Sequence, residues 1–325
     1  MKIIKKALAF TLTAFVGVSA FAFDPSALAS TLNAKSGQIS AGLDDFAKQL
    51  SISVPQAATQ QNVWADAYIG KLFPSVVPHF GGGLNMGLTH INTSGLKKAI
   101  ESLGLSDIDI KNDYYFPVFT ADLRVGGVLL PFDAGIAVMK TGKLSTSKFG
   151  ADLDVDLLTI GADVRYAMFE GGLVMPKLSI GAGYFYNQGT FGVDSDYAKA
   201  TVDYKVHTMY AQAQLSKKFL FVTPFVGLRG LVSKSNNEWN WEYKSTYATQ
   251  IANAATLASI PVPKLKDNGA YTTSNFDFNA IQPQVFAGVG VNFLIIDFTL
   301  SITADLRNIK DDGLWSGAAS LRLSI

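Results

Sequence analysis

The most constraining feature of this sequence is an alternation of apolar and polar residues that recurs from about residue 79 to the C-terminus. Residues 296–307, for example, read I-D-F-T-L-S-I-T-A-D-L-R. Successive side chains of a β-strand point to opposite faces of a sheet, so this segment has one apolar and one polar face. A sheet that is apolar outside and polar inside is typical of a membrane-spanning barrel. The pattern predicts an all-β fold, an antiparallel transmembrane β-barrel.

About ten such stretches follow one another, joined alternately by short and long connectors. We place the strands near residues 79–91, 114–127, 131–141, 150–169, 174–190, 199–216, 219–235, 280–293, 295–308 and 314–325. Short turns belong at the periplasmic end of such barrels, and long loops belong at the outer end. The even count fits the class, although roughly eight to fourteen strands agree with the pattern.

The first residues predict export. Lys2, Lys5 and Lys6 precede the apolar residues 7–18, and residues 19–22 have the small-x-small pattern of a secretory cleavage site. The alternative is a membrane anchor, but the apolar run is shorter than the roughly 20 residues that a spanning helix needs. We therefore expect residues 1–22 to be a cleaved signal peptide and the mature protein to lie in the bacterial outer membrane.

Residues 23–78 differ in kind from the barrel, which we place at residues 79–325. Their apolar residues recur at near-helical spacings and are Leu28, Leu32, Ile39, Leu43, Phe46 and Leu50. Pro55 and a polar linker follow, and residues 63–72 alternate weakly enough to allow a strand. We expect an N-terminal helix or broken helix pair that either plugs the barrel or lies against its periplasmic rim.

Side-chain phase reverses within two of the predicted strands. Asp152, Asp154 and Asp156 share parity with the apolar Ile160, and a similar reversal occurs near residues 207–209. Either a β-bulge re-aims the strand, or the outer part projects beyond the bilayer. We expect projection for residues 152–156, because three lipid-facing carboxylates would be very costly.

The first candidate site is a charged lumen. The pattern Ala-Asp-apolar-Arg occurs at residues 121–124, 162–165 and 304–307, and an Asp and an Arg two residues apart share one face of a strand. The residues that we expect to line the lumen are Asp122, Arg124, Asp163, Arg165, Lys177, Arg229, Asp297, Asp305, Arg307 and Arg322. They form either the charged filter of a pore or an ion-paired plug that fills a small barrel.

The second candidate site is the longest insertion, residues 236–279. It begins with aromatic residues, continues with a helix-like run at residues 248–260, and is long enough to fold into the barrel mouth as a gate. Its candidate gating residues are Trp239, Trp241, Tyr243, Tyr247, Ile251 and Leu257. The alternative is an exposed loop or extended hairpin whose aromatic residues belong to the outer girdle.

Composition argues against several other functions. The chain has no Cys, which removes disulfides and thiolate chemistry, and its net charge of +1 argues against a nucleic-acid partner. His79, His90 and His207 have no metal-ligand spacing. Asp203 and His207 share a strand face and could serve hydrolysis together with a nearby Ser, but a His among lumen charges needs no catalytic role. We expect no enzyme activity, no metal and no cofactor.

This exported, Cys-free, alternating chain resembles bacterial outer-membrane β-barrel proteins over residues 79–325. An N-terminal segment ahead of the barrel is similar to the hatch of the long-chain fatty acid channel family, although the strands are too few for that barrel. The small channels for hydrophobic compounds are closer in size. The resemblance implies outer-membrane lipids and the barrel-assembly machinery as partners, although Ile325 stands where such barrels usually end in Phe or Trp.

The predicted function is passive uptake or efflux of small solutes, including hydrophobic ones. The alternative is a non-conducting surface protein that binds host or envelope partners through residues 92–113 and 236–279. A closed lumen would favour the alternative. Neither the solute nor the oligomeric state follows from the sequence.

Overall fold

The computed structural model describes residues 25–60, 62–73, 78–103, 111–140, 144–148, 151–273, 275–310 and 313–325, so the predicted signal peptide lies outside it. The helices are α1 (Pro25–Gln60), α2 (Ser94–Ser102) and α3 (Ser245–Leu257). The strands are β1 (Phe80–Asn92), β2 (Asp113–Gly126), β3 (Phe132–Lys140), β4 (Leu144–Lys148), β5 (Ala151–Glu170), β6 (Lys177–Ser195), β7 (Ala198–Ser216), β8 (Val222–Tyr243), β9 (Lys266–Thr272), β10 (Gln282–Phe293), β11 (Ile296–Asp305) and β12 (Trp315–Ser324).

Ten of these strands close into an antiparallel barrel. The order around the barrel is β1, β2, β3, β5, β6, β7, β8, β10, β11 and β12, and β12 pairs with β1 to complete the ring. Strands β4 and β9 extend the sheet by pairing with β5 and β8. Closure gives the membrane-embedded backbone its hydrogen-bond partners. The predicted antiparallel barrel with an N-terminal helix is confirmed.

The two ends of the barrel differ in their connectors. Residues 127–131, 171–176, 217–221 and 294–295 form short turns at one end, where the backbone groups of Phe80 and Ile325 also bond each other. The other end carries α2, β4, α3 and β9. By the rule that short turns are periplasmic, the end with the helices faces the outside of the cell.

Strand β8 corrects one prediction. It runs for 22 residues to Tyr243, whereas the sequence predicts a loop from residue 236. Residues 236–242 pair with β7 on one side and with β9 on the other. The strand continues because its alternation continues, with Trp239 and Trp241 buried and Glu238 and Glu242 exposed. The insertion is therefore an extended hairpin that carries α3, but Trp239 and Trp241 pack inside the barrel against α1, so the alternative's outer-girdle position is wrong for these two residues.

The two faces of β5 to β8 exchange polarity partway along the strands. Near the short turns, the outward side chains are apolar and exposed, and they include Val164, Ile180, Met209 and Leu228. Toward the outer end, the outward side chains are polar, and they include Asp156, Lys205, Lys234 and Glu238. The ladders between β5, β6 and β7 show no register shift at this point, which excludes a bulge there. The outer halves of these strands thus project beyond the apolar belt, as expected for residues 152–156.

Helix α1 fills the outer half of the barrel. Its buried stripe, Ile39, Leu43, Phe46 and Leu50, packs in one cluster with inward side chains of β7 and β8, which include Val202, Val206, Trp239 and Trp241. Spacings of three and four residues place this stripe on one helix face, and burying each such side chain contributes about 1.5–3 kcal/mol. The helix continues through Pro55 to Gln60. Within the described chain, no helix combines the length and hydropathy needed to cross a membrane.

A close contact between glycines positions α2 on α1. A Cβ atom on Gly42 would lie 2.5 Å from the carbonyl oxygen of Gly95, and one on Gly95 would lie 2.7 Å from that of Gly42. Only residues without side chains permit this approach of the two backbones. The contact covers one side of α1 at the outer mouth, where Ala99 and Ile100 join the same apolar cluster.

The polarity exchange predicts where charge is tolerated on the outer face. Replacement of Ala211 by Arg places a charge in the apolar belt, so we expect the free energy of unfolding from lipid vesicles to fall by about 2–4 kcal/mol. The matched control Lys205→Arg lies on the same face of β7 beyond the belt and should change it by less than about 0.5 kcal/mol. Equal losses for the two variants in denaturant titrations would contradict this assignment of the membrane boundary.

Candidate functional site

The segment that follows α1 occupies the inner half of the lumen without regular structure. Its backbone carbonyl oxygens accept hydrogen bonds from wall side chains: Arg322 Nη1 bonds Val63 at 3.0 Å, Gln214 Nε2 bonds Trp64 at 2.6 Å, Arg165 Nη1 bonds Asp66 at 2.9 Å and Lys177 Nζ bonds Tyr68 at 2.8 Å. Backbone polar groups buried away from water require such partners. Residues 63–72, whose weak alternation allows a strand, do not form one, because side chains of the wall take the place of a neighbouring strand. We call residues 62–70 the lumen segment.

Four buried charges on three adjacent strands form the centre of the site. Arg124 of β2 donates to Asp133 of β3 at 2.5 Å and to both carboxylate oxygens of Asp163 of β5 at 2.7 and 2.8 Å. Arg165 of β5 donates to both oxygens of Asp133 at 2.8 Å. The exposed fraction of each side chain is 1% or less. Bidentate pairing of this kind satisfies both the charge and the geometry of guanidinium and carboxylate.

The lumen segment is bound directly to this charge cluster. The backbone N–H of Ile69 donates to Asp133 Oδ2 at 3.1 Å, and the side-chain amide of Asn62 donates to Asp163. Asp133 therefore accepts hydrogen bonds from two arginines and from the lumen segment. Its removal would leave two guanidinium groups without their shared carboxylate.

A second ion pair completes a cage around Trp64. Arg322 of β12 donates to Asp122 of β2 from Nε at 2.8 Å and from Nη2 at 2.5 Å. The Arg322 guanidinium lies 4.5 Å from the centre of the Trp64 ring, and the Arg124 guanidinium lies 5.7 Å from it. Cations within about 6 Å of an aromatic ring are attracted to its face. The indole thus contacts both ion-paired groups on the wall formed by β12, β1 and β2.

Arg229 of β8 is buried among uncharged groups. It donates to the Gln212 side-chain oxygen from Nε at 3.1 Å and from Nη2 at 3.0 Å. The rings of Tyr210 and Phe286 lie 5.1 and 4.9 Å from its guanidinium carbon. It fills the lumen next to the charge cluster with aromatic packing instead of an ion pair.

The remaining predicted lumen residues lie at the two ends of the barrel. Lys177 pairs with Asp66 of the lumen segment at 3.1 Å near the inner end, and Asp297 accepts a hydrogen bond from Ser324. Asp305 is buried at the end of β11 and accepts the backbone N–H groups of Arg307 and Asn308 at 2.9 Å.

The expectation that Arg307 lines the lumen is wrong. Strand β11 ends at Asp305, whose side chain caps the following turn, so the alternation that defines the inward face no longer applies to Arg307. Its side chain is exposed and donates to the backbone oxygen of Asn279 at 3.2 Å. Of the three Ala-Asp-apolar-Arg repeats, only the two in β2 and β5 place both charges in the lumen.

The candidate gating residues are distributed over wall and surface. Trp239 and Trp241 belong to the barrel wall and donate from their indole nitrogens to Asp44 at 3.2 Å and to Ser40 at 3.1 Å. Tyr243 ends β8, and Tyr247 of α3 packs edge-on against Tyr197 with ring centres 4.8 Å apart. Within α3, Ile251 is buried, whereas Leu257 is 79% exposed. They do not form a single loop over the mouth.

The described lumen is packed over its length. Inward side chains at successive levels are almost inaccessible to water, including Thr303 at 0%, Arg322 at 1%, Asp133 at 0% and Gln214 at 1% exposure. On the plug, Ala67 is 0% and Tyr68 is 2% exposed. Side chains that line a water-filled pore would present accessible surface to it. The described residues thus fill the barrel with an ion-paired plug.

Two central residues of the site, Asp133 and Trp64, are not among the residues predicted from the sequence. Asp133 could have been found, because residues 132–138 alternate and place it on the same polar face as the other lumen charges. Trp64 carries no comparable signal, since it lies in an irregular segment between helix and barrel. Among the described residues, no group of three or more His, Asp and Glu side chains is arranged to hold a metal ion.

The fold and this interior define a class of protein. A closed antiparallel barrel with an apolar outer belt, a polar interior at the level of that belt and short turns at one end is an outer-membrane β-barrel. No protein-family model matches the chain, and no curated protein sequence matches it.

Comparison with solved structures finds other outer-membrane barrels. The translocator domain of the autotransporter NalP from Neisseria meningitidis is 9% identical, with 78% of this chain and 90% of that chain covered and a TM-score of 0.37. The outer-membrane protease OmpT from Escherichia coli is 9% identical, with coverages of 76% and 97% and a TM-score of 0.42. The toluene transporter TbuX from Ralstonia pickettii is 8% identical, with coverages of 76% and 88% and a TM-score of 0.20. Likeness at this level carries no information about activity.

The shared carboxylate of Asp133 predicts a large cost of substitution. In the variant Asp133→Ala, the buried Arg165 loses its carboxylate partner, Arg124 keeps only Asp163, and the backbone N–H of Ile69 loses its acceptor, so we expect the free energy of unfolding in lipid vesicles to fall by about 3–5 kcal/mol. The control Glu170→Ala removes the partner of Lys71 in a surface pair and should cost less than about 1 kcal/mol. A difference of under 1 kcal/mol between the variants would show that the buried cluster is not central to stability.

Proposed function

We propose that this outer-membrane barrel does not conduct solutes and instead presents a folded unit at the cell surface for contact with host or envelope partners. The observation that carries the proposal is the packed lumen. Helix α1 fills its outer half, and the lumen segment with its ion pairs fills its inner half. A passive channel would need a continuous path for its solute.

The outer part of the molecule supplies the surface that this function requires. Strands β5 to β8 extend beyond the apolar belt, and α1, α2, α3 and β9 give that extension its own apolar core. Its outward face carries a polar depression of about 420 Å³ whose lining includes Lys140, Asp156, Asp203, Lys205 and Glu238. A mixed-charge surface of this kind suits a polar partner better than an apolar solute.

A gated channel is the second candidate, and the apolar interior of the outer half favours it. Val202, Tyr204 and Val206 face α1 and not lipid, so withdrawal of the helix would expose an apolar mouth. Such a mouth would suit small hydrophobic solutes. This function requires that the ion pairs and hydrogen bonds of the lumen segment break reversibly.

Planar-bilayer recordings of the full mature chain distinguish the two candidates. We expect no discrete conductance from the unchanged protein, because no water path crosses the packed plug. We also expect Asp133→Ala, which weakens the attachment of the lumen segment, to remain silent, as should the control Glu170→Ala. Heat modifiability on gels confirms in parallel that each variant is folded.

Two results would contradict the non-conducting function. Discrete conductance steps from the unchanged protein would show an open lumen. Steps from Asp133→Ala alone, with a silent Glu170→Ala control, would show that the plug can leave and would favour the gated channel.

A further inference from the structure

The direction of α1 inside the barrel is fixed by contacts with a single strand. Three side chains of β8 donate hydrogen bonds to α1. Trp241 donates to Ser40 at 3.1 Å, Trp239 donates to Asp44 at 3.2 Å, and Asn237 donates to the backbone oxygen of Ala47 at 2.6 Å. Along these three contacts, the residue numbers of β8 decrease while those of α1 increase, so the helix and the strand run in opposite directions. Because β8 starts at the short turn of residues 217–221, α1 runs from the outer end of the barrel toward the inner end.

Contacts on other elements give the same direction at both ends of the plug. At its start, Ser36 donates to the backbone oxygen of Lys264 at 2.9 Å, and Ala29 packs with Ala255 and Ile260 beside α3. At the inner end, the backbone N–H of Leu72 donates to the oxygen of Gly127 in a short turn at 3.0 Å. The chain therefore passes through the whole barrel before β1 begins at its inner rim.

We propose that the N-terminal end of α1 is displayed at the cell surface and that this end of the helix reaches the outside through the barrel. An exported chain meets the barrel from the periplasm, where the short turns lie. The N-terminal end of α1 lies at the opposite mouth, so the length of the lumen separates it from the periplasm. The barrel thus carries its own N-terminal segment outward and is closed behind it.

The plug, which consists of α1 and the lumen segment, has the features expected of a segment that crosses the barrel once and then remains in it. Its outer half is a helix, which satisfies its own backbone in transit and has a diameter of about 10–12 Å with side chains. The lumen segment is held by wall side chains through Arg322, Arg165 and Lys177, and Trp64 lies between two guanidinium groups. Any peptide placed ahead of Pro25 would consequently be presented at the surface, which is a display function that does not depend on whether the lumen conducts.

The absence of Cys from the sequence makes this topology directly measurable. Ser30→Cys introduces a single thiol at an exposed position near the start of α1. The outer control is Ser245→Cys at the start of α3, and the inner control is Leu173→Cys in the turn between β5 and β6, where the side chain is fully exposed. Each full-length variant is produced in the outer membrane of a bacterial host and checked for folding by heat modifiability.

A large maleimide that does not cross the outer membrane is added to intact and to permeabilised cells. We expect Ser30→Cys to be labelled in intact cells to the same extent as Ser245→Cys, and Leu173→Cys to be labelled at least tenfold less until the membrane is permeabilised. Labelling of Ser30→Cys only after permeabilisation, as for Leu173→Cys, would overturn the proposal. Failure of Ser30→Cys to react under either condition, with reaction in denaturant, would also overturn it, because this end of α1 would then be buried.

A second variant tests display itself. An epitope inserted directly before Pro25 should be removed by protease added to intact cells, whereas the same epitope inserted after Gly172 should be protected until permeabilisation. Protection of both epitopes in intact cells would overturn the proposal. The bilayer recordings have no bearing on these results, so failure of the non-conducting function and failure of the topology are distinguishable.

Discussion

The shared carboxylate of Asp133 is the interaction on which the interior of this barrel depends. It joins Arg124 and Arg165, which lie on either side of β3, and it accepts a backbone N–H from the lumen segment. Isolated charges cannot be buried at acceptable cost, but alternating charges with complete hydrogen bonding can. Two arginines and the carboxylates of Asp133 and Asp163 make a neutral group. That neutrality permits the inner half of the lumen to be closed to water.

The two halves of the interior differ because the segments that fill them differ. Helix α1 satisfies its own backbone and presents an apolar stripe, so the wall around it is apolar, as at Val202 and Val206. The lumen segment is irregular and leaves its backbone groups unsatisfied, so the wall around it supplies polar side chains such as Gln214 and Lys177. On the outer face of the barrel the order of polarity is the opposite. The outward side chains are apolar in the inner half, which lipid surrounds, and polar in the outer half, which water surrounds. The change of phase in β7 and β8 therefore records the membrane boundary, whereas α1 continues past it, with Gln56 bonded to Ser316 and Ala58 packed beside Tyr210.

The sequence predicts the architecture well, because alternation is a local property that each strand carries in its own residues. It also predicts five of the charges that meet in the lumen, at Asp122, Arg124, Asp163, Arg165 and Arg322, since parity within a strand fixes their face. It does not predict which charges pair, because partners such as Arg322 and Asp122 are 200 residues apart and meet only when the barrel closes. The prediction for Arg307 is wrong because the alternation of side chains between the two faces stops where the strand ends, at Asp305.

The packing of α1 and the lumen segment inside the barrel is even harder to predict from the sequence. The helical spacing of Ile39, Leu43 and Phe46 predicts a buried face, but nothing in that spacing says what covers it. The side chains that cover it come from residues as far apart as Ile91 and Trp241, so the choice between lumen and periplasmic rim is a tertiary property. The position of Trp64 cannot be predicted from sequence periodicity either. The groups that surround its ring, Arg124 and Arg322, belong to strands that are far apart in the sequence.

Hydrogen exchange of the protein in lipid bilayers tests the central claim, that the interior is a packed core closed by the N-terminal segment. The account predicts that the amides of residues 36–60 and 62–70 are protected to a degree similar to those of β7, because they lose protection only when the plug leaves the barrel. Exchange of these amides many times faster than that of the amides of β7 would contradict it. Such a result would mean that the plug departs readily and that the packed lumen is a minor state.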